Sequence, residues 1–186
     1  MLVAFRHFPL NFHANAEPAA KAAIAAQNQG KFWEYHDKIF ESQDDLSTTR
    51  FEAIAKELGL NLETFKKDMK AQETEFQIKG DMVIASKAGI EGTPAFLVNG
   101  RKIVGALPFE TFKTIIDTEI SKINSLLKDG KSIPQARGEM SLFNMKKSLD
   151  PNSGGIETLA RIDIEGAPGK GAADPLVAII EFSDFQ

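Results

Sequence analysis

The stretch of sequence that decides the fold runs from Val177 to Gln186 and is VAIIEFSDFQ. Its apolar run through Ile180, continued by Phe182, is typical of a strand buried inside a sheet. Glu181 is the charged residue within that run. Desolvation of a carboxyl group in such a place should raise its pKa, unless Glu181 lies at a strand end and reaches water. The stretch therefore predicts a buried strand that carries a carboxylate.

A second informative stretch lies at residues 95–104. Two apolar runs, Ala95–Val98 and Lys102–Val104, flank the pair Asn99-Gly100. Type I′ turns favour this pair because both central residues of such a turn need a positive φ. The stretch therefore predicts a β-hairpin.

Helix signals fill the region between a first strand, Leu2–Arg6, and this hairpin. We expect five helices, at about 16–27, 32–40, 49–58, 62–70 and 73–88. Asn15, Ser47 and Asn61 are of the residue types that cap helix N-termini. In the fifth helix the apolar side is predicted to comprise Phe76, Val83 and Ile84.

Beyond the hairpin the chain changes character. Pro108 suits the first turn of a helix that continues to about Leu127. Residues 129–156 hold Gly-, Pro-, Ser- and Asn-rich stretches, which indicate a linker or long loop with a short helix near 138–148. Strand character returns at Ile162–Ile164. The spacing of the helix that begins at Pro108 predicts one buried face, made of Phe109, Phe112, Ile115, Ile116, Ile120, Ile123 and Leu127.

The composition excludes several classes of function. A net charge of -4 and a pI near 5.5 argue against a nucleic-acid-binding protein, which usually presents a basic face. No run approaches the roughly 20 apolar residues that span a bilayer. Arg6 and His7 interrupt the N-terminal apolar stretch, so it does not resemble a signal peptide. The chain has no cysteine, and it therefore supplies no thiol nucleophile, disulfide or thiolate metal ligand.

The histidines are His7, His13 and His36, and their spacing matches no common zinc pattern. We therefore predict no metal site and no cofactor. His7 and His13 are instead expected to hold the loop around Pro9 by hydrogen bonds.

Several stretches together resemble the DsbA-like branch of the thioredoxin superfamily. They are Gly92–Phe96 (GTPAF) and Glu181–Gln186 (EFSDFQ), with Phe5–Leu10 (FRHFPL) and Gln29–Trp33 (QGKFW) in support. The resemblance implies an α/β fold, with a thioredoxin-like sheet and a helical insertion between residues 12 and 90. The order is rotated, because the family's opening strand matches the last residues here. We expect the C-terminal strand to fill the central slot of the sheet, in permuted fashion within one chain or swapped between two.

The rotated order implies three segments. Residues 1–128 resemble a DsbA-like thioredoxin domain without its first strand and active-site helix, 129–159 a linker, and 160–186 the opening strands of a DsbA-like domain. Three explanations fit: a piece of a tandem protein, a circular permutant without the helix, or a processed piece whose partner is a separate polypeptide. We favour the tandem protein because residues 129–156 resemble an interdomain linker.

The resemblance also implies site residues. Thr93-Pro94 resembles the cis-proline loop that faces the catalytic cysteines and pairs with an extended substrate; the alternative is an ordinary turn proline. Glu181 matches a buried carboxylate that exchanges protons with the second cysteine. Asp184 and Phe185 would line the approach to a Cys-x-x-Cys motif, which the family places directly after this stretch, and Asp184 would cap its helix. Core packing is the alternative for the phenylalanine.

The function implied by the resemblance is a periplasmic or extracytoplasmic thiol–disulfide oxidoreductase that acts on cysteine-containing proteins or peptides. This chain alone cannot perform that reaction, because attack on a disulfide requires a thiolate. We expect a redox-inactive part of an oxidoreductase, or alternatively a redox-inert peptide-binding or assembly module. A sheet face left bare by the missing helix further predicts a homo-oligomer, formed by exchange of residues 175–184 or by packing of the bare faces.

Overall fold

The computed structural model describes residues 1–148, 164 and 166–186. These residues form two compact units: Met1–Arg6 with Ile84–Phe182, and His7–Val83 with Ser183–Gln186. The elements are β1 (Leu2–His7), α1 (Ala16–Gln27), α2 (Phe32–Phe40), α3 (Thr48–Glu57), α4 (Leu62–Met69), α5 (Gln72–Lys87), β2 (Ala95–Val98), β3 (Arg101–Val104), α6 (Phe109–Lys128), α7 (Ile133–Ser148), β4 (Gly169–Gly171) and β5 (Ala178–Ser183).

The sheet has the strand order β3-β2-β5-β1-β4, which places the last strand of the chain at its centre. β2 pairs with β5 antiparallel, from Ala95 opposite Phe182 to Val98 opposite Ile179. The outer pairs, β2–β3 and β1–β4, are also antiparallel. The predicted α/β class, with helices inserted between the first strand and the hairpin, is therefore confirmed. Exchange of β5 between two chains stays a prediction.

The hairpin turn adopts the predicted backbone conformation. Asn99 has a φ of 44° and Gly100 a φ of 78°, as a type I′ turn requires. A Cβ on Gly100 would lie 2.6 Å from the carbonyl oxygen of Ser141. The Asn99 side chain extends the sheet, since its Oδ1 accepts from the backbone N–H of Ala178 at 2.9 Å and its Nδ2 donates to the Leu176 carbonyl at 3.2 Å.

One face of α6 packs on this sheet, as its spacing predicts, but the buried face is shorter than expected. Ile115 packs in a cluster with sheet residues, and the rings of Phe96 and Phe112 meet edge to face at 4.9 Å. Phe109 was predicted to be buried, yet it is 76% exposed. It occupies the first helical position after Pro108, and the packed part of the helix begins one turn later at Phe112.

The region predicted as a linker contains a long helix, α7. Its Ala136 and Met140 are buried against Ile123 of α6. The Asn144 amide donates to the Asn99 carbonyl and to the carboxylate of buried Glu119, both at 3.0 Å. The short helix expected near 138–148 is thus longer and well packed. Residues 149–159 and the strand residues 162 and 163 lie outside the described residues, and a division of the chain at 128 and 160 stays a prediction.

The second unit is helical. Its core holds the alanine-rich side of α1 with Tyr35, Phe51 and Phe65, all fully buried, and the Tyr35 hydroxyl donates to the Phe51 carbonyl at 3.0 Å. Burial raises the pKa of that phenol. The predicted caps of α3 and α4 are present, since the side chains of Ser47 and Asn61 each accept a backbone N–H three residues on.

Two expectations for α5 were wrong. Phe76 and Val83 of α5 are 59% and 52% exposed, whereas Ile78 and Asp81 are buried. Asp81 accepts the backbone N–H of His7 at 2.9 Å. This contact between residues distant in sequence orients α5 with the Asp81 side chain inward. The apolar side chains of β1 and β5 are largely buried, and the bare sheet face stays a prediction. In the described part of the chain no helix is both long and apolar enough to cross a membrane.

Candidate functional site

The segment Ser183–Gln186, where β5 ends, is anchored residue by residue within the helical unit. The backbone N–H of Phe8 donates to the Ser183 carbonyl at 2.9 Å. Gln43 donates its side-chain amide to the Phe185 carbonyl at 3.1 Å, and the Asn15 backbone N–H donates to Oε1 of Gln186 at 2.8 Å. This segment is therefore anchored by the loop that follows β1, through Phe8 and Asn15, and by Gln43.

Asp184 provides the charged contact of this segment. Its side chain is 4% exposed, and its Oδ2 lies 2.7 Å from Nδ1 of His13. The backbone N–H of Leu10 donates to the same oxygen at 3.3 Å. An ionised carboxylate can only accept, so beside an ionised Asp184 the donor of this contact is Nδ1 of His13. The expectation that His13 holds the loop around Pro9 by a hydrogen bond is thus met through Asp184.

Phe185 is fully buried in an aromatic cluster of the same unit. Its ring centroid lies 5.1 Å from that of Phe40, 5.8 Å from His36 and 6.2 Å from His7. Aromatic pairs at such distances stabilise a core beyond simple burial. The geometry favours a packing role for Phe185, the alternative that the sequence left open beside substrate contact.

A cleft of about 480 Å³ opens beside His13, between the loop at 9–14 and the helices α1 and α5. Its apolar wall includes Leu10, Ile78 and Met82. On its rim the Lys21 ammonium contacts the carboxylates of Glu17 at 2.8 Å and Glu75 at 3.2 Å. The hydrogen bond that the Lys21 ammonium donates to Glu17 raises the pKa of Lys21.

The first unit holds the other predicted site residues, Thr93, Pro94 and Glu181. The Thr93–Pro94 peptide bond is cis, and both residues are half-buried just before β2. The Pro94 carbonyl accepts the backbone N–H of Gly105 at 2.8 Å. The loop at Pro94 is thus tied to the end of the hairpin.

Glu181 lies in β5 opposite Phe96 of β2. It is half-buried, and desolvation raises the pKa of its carboxyl above the ordinary value of 4.5. A carboxyl group with a raised pKa can exchange a proton closer to neutral pH than a solvated one. Its role as a proton relay stays a prediction.

The structure therefore groups the predicted site residues into two sets, each within one unit. Asp184 and Phe185 belong to the helical unit, whereas Thr93, Pro94 and Glu181 belong to the unit of the sheet. The partners of the anchored segment, Asn15 and Gln43, were not foreseen as such, because no spacing rule connects residues so far apart in sequence. Over the ranges that the structure describes, no cluster of three or more His, Asp or Glu side chains could hold a metal ion.

Comparison with known proteins identifies the family. The family model of the DSBA-like thioredoxin domain matches residues 3–117. The chain is similar to the Na(+)/H(+) antiporter NhaA 3 of Salinispora tropica, at 33% identity over 136 residues, which cover 73% of this chain and 21% of the relative. It is also similar to the Na(+)/H(+) antiporter NhaA 1 of Salinispora arenicola, at 31% identity over 137 residues, with the same two coverages.

A third relative is the Na(+)/H(+) antiporter NhaA of Herminiimonas arsenicoxydans, 33% identical over 112 residues, or 60% of this chain and 18% of the relative. The chain thus spans only about a fifth of the length of these curated relatives. No solved structure matches the chain. The family match confirms the thioredoxin-like fold predicted from the sequence, and the chain belongs to the family of DSBA-like thioredoxin domains.

Proposed function

We propose that this chain is part of a DsbA-like thiol–disulfide oxidoreductase whose catalytic cysteines lie outside these 186 residues. The observation that carries the proposal is the placement of β5. This strand lies at the centre of the sheet, and Ser183–Gln186 beyond it are each hydrogen-bonded in the helical unit. A motif that follows Gln186 would start from a fixed point. Without a cysteine the chain itself is redox-inactive.

In this proposal a Cys-x-x-Cys motif follows Gln186 at the N-terminus of a helix. The positive end of the helix dipole lowers the pKa of a thiol there and favours the reactive thiolate. Glu181 would exchange a proton with the second cysteine, a role supported by its desolvated carboxyl. Thr93 and Pro94 would face an extended substrate segment and pair with its backbone.

The partners in this proposal are cysteine-containing proteins or peptides, and the compartment is periplasmic or extracytoplasmic. Family membership supports both. Reaction with a substrate disulfide would proceed by attack of the thiolate on one sulfur, which releases the other sulfur as a thiolate and leaves a mixed disulfide.

The test is the intact mass and the terminal peptides of the polypeptide as its source makes it. Continuation past Gln186 into Cys-x-x-Cys supports the proposal. An end at Gln186 with no cysteine-bearing partner polypeptide would refute it.

A kinetic test can follow on the natural polypeptide if it carries the motif. Oxidation of a reduced peptide should slow when Glu181 is replaced by Gln, with Glu91→Gln as the matched control because Glu91 is exposed in a loop. Equal rates in the two variants would exclude Glu181 from proton exchange.

The alternative function is a redox-inert peptide-binding or assembly module, which the lack of cysteine favours. The same mass measurement separates the two, because only the oxidoreductase needs a cysteine-bearing continuation or partner. A homo-oligomer formed by strand exchange remains part of the proposal. Light scattering that shows a monomer at micromolar concentration would contradict it.

A further inference from the structure

Four consecutive residues, Ser183 to Gln186, each accept one or more hydrogen bonds from the helical unit. Three donors are backbone N–H groups of the loop that follows β1: those of Phe8, Leu10 and Asn15. The loop is therefore bonded to three of the four residues of the segment, Ser183, Asp184 and Gln186, and the conformations of loop and segment depend on each other.

His13 lies in this loop and makes the shortest of these contacts, 2.7 Å from its Nδ1 to Oδ2 of Asp184. The carboxylate is almost fully buried, whereas the imidazole is 26% exposed. A hydrogen bond to a charged group is stronger than one between neutral groups. Loss of the imidazole would take a donor from a desolvated carboxylate, which is costlier than loss of a solvated contact.

We propose that His13 is a positioning residue: through Asp184 it fixes the direction in which the chain leaves Gln186, and so places the group that comes next. That this group is a cysteine rests on the proposed function, but the positioning itself does not. His13 would not touch substrate or the reacting sulfur; its effect would reach them through the backbone of Asp184–Gln186.

The first test is amide hydrogen exchange on the full chain. His13→Ala should speed exchange at the amides of Phe8 and Leu10 by about tenfold or more. Exchange at Ile54, in the core of α3, should change much less. A residue with a purely structural role would lower protection at all three amides together. His13→Asn should restore protection, because the amide Nδ2 of Asn lies near the position of Nδ1.

The second test uses the lack of cysteine in the chain. A variant extended by one cysteine after Gln186 accepts a nitroxide label at that position alone. We expect a restrained label in the extended chain, a mobile one with His13→Ala and a restrained one again with His13→Asn. Asn11→Ala is the matched control, since Asn11 is exposed in the same loop and should leave the label restrained.

The proposal would be overturned if His13→Ala leaves the mobility of the label unchanged, or if Asn11→Ala raises that mobility as much as His13→Ala does. If His13→Ala does not fold, Asp184→Ala replaces it, because it leaves a partly exposed imidazole without its partner rather than a buried charge. The same loss of restraint is expected. A polypeptide without Cys-x-x-Cys but with a label restrained by His13 would refute the proposed function alone. A polypeptide that carries Cys-x-x-Cys, together with a label whose mobility does not depend on His13, would refute the positioning role alone.

Discussion

Phe185→Ala distinguishes a packing residue from a substrate-contacting one. The ring is fully buried against Phe40, His36 and His7. A buried phenylalanine removes about 150 Å² or more from water, which at about 25 cal/mol per Å² corresponds to roughly 4 kcal/mol. Measured Phe→Ala losses in cores are about 3–5 kcal/mol. We therefore expect the free energy of unfolding of the helical unit to fall by about 4 kcal/mol.

The assay is urea unfolding followed by the fluorescence of Trp33, the one tryptophan of the chain. Its ring lies 5.2 Å from that of His36, which in turn contacts Phe185. The signal therefore reports on this cluster. With a urea dependence of about 1.5 kcal/mol per molar, the midpoint should fall by about 2.7 M.

Phe12→Ala is the matched control, because Phe12 is in the same unit and 79% exposed. Its unfolding free energy should stay within about 0.5 kcal/mol of the unsubstituted chain. A loss below about 1 kcal/mol for Phe185→Ala would refute the packing role and restore substrate contact as its function.

Glu181→Gln should raise the free energy of unfolding at pH 7, measured by urea titration. Desolvation raises the pKa of the Glu181 carboxyl in the folded state above 4.5. The contribution of Glu181 to the free energy of unfolding is therefore fully present below pH 4.5 and is lost as the pH rises through the folded-state pKa. A stability gain of the Gln variant that does not shrink toward pH 4.5 would contradict this. Gly100→Ala should cost at least about 2 kcal/mol in thermal unfolding, because a φ of 78° is strained for alanine and its Cβ would lie 2.6 Å from the Ser141 carbonyl oxygen; an unchanged midpoint would show that α7 yields freely. Ser47→Ala should cost about 1 kcal/mol and Asn15→Ala under about 0.5 kcal/mol by the same method, since only Ser47 makes a side-chain cap bond; equal losses would dismiss the cap.

The features that the sequence predicted well depend on neighbouring residues. Asn99-Gly100 specifies its turn through the φ values of those two residues. Ser47 and Asn61 begin α3 and α4 because each side chain reaches an N–H three residues away. Such interactions need no knowledge of the rest of the fold, and so they can be recognised in one sequence.

The features that the sequence missed depend on contacts between distant residues. The orientation of α5 could not be predicted from its apolar residues, because buried Asp81 bonds to the backbone of His7. Asn15 was predicted to cap α1 with its side chain; that bond is absent, and its N–H binds Gln186 instead. At the candidate site, resemblance singled out Asp184, but only the fold brings His13 to it.

The central position of β5 has a consequence for how the protein is made. The ribosome synthesises β1, β2 and β3 early. It releases β5, which lies between β1 and β2 in the sheet, after all the other described elements. Until then both neighbours keep a row of unpaired N–H and C=O groups, which can pair with other chains. Folding of the sheet must therefore wait until synthesis has passed residue 183, and nascent chains stalled before β5 would be ready substrates for chaperones and proteases.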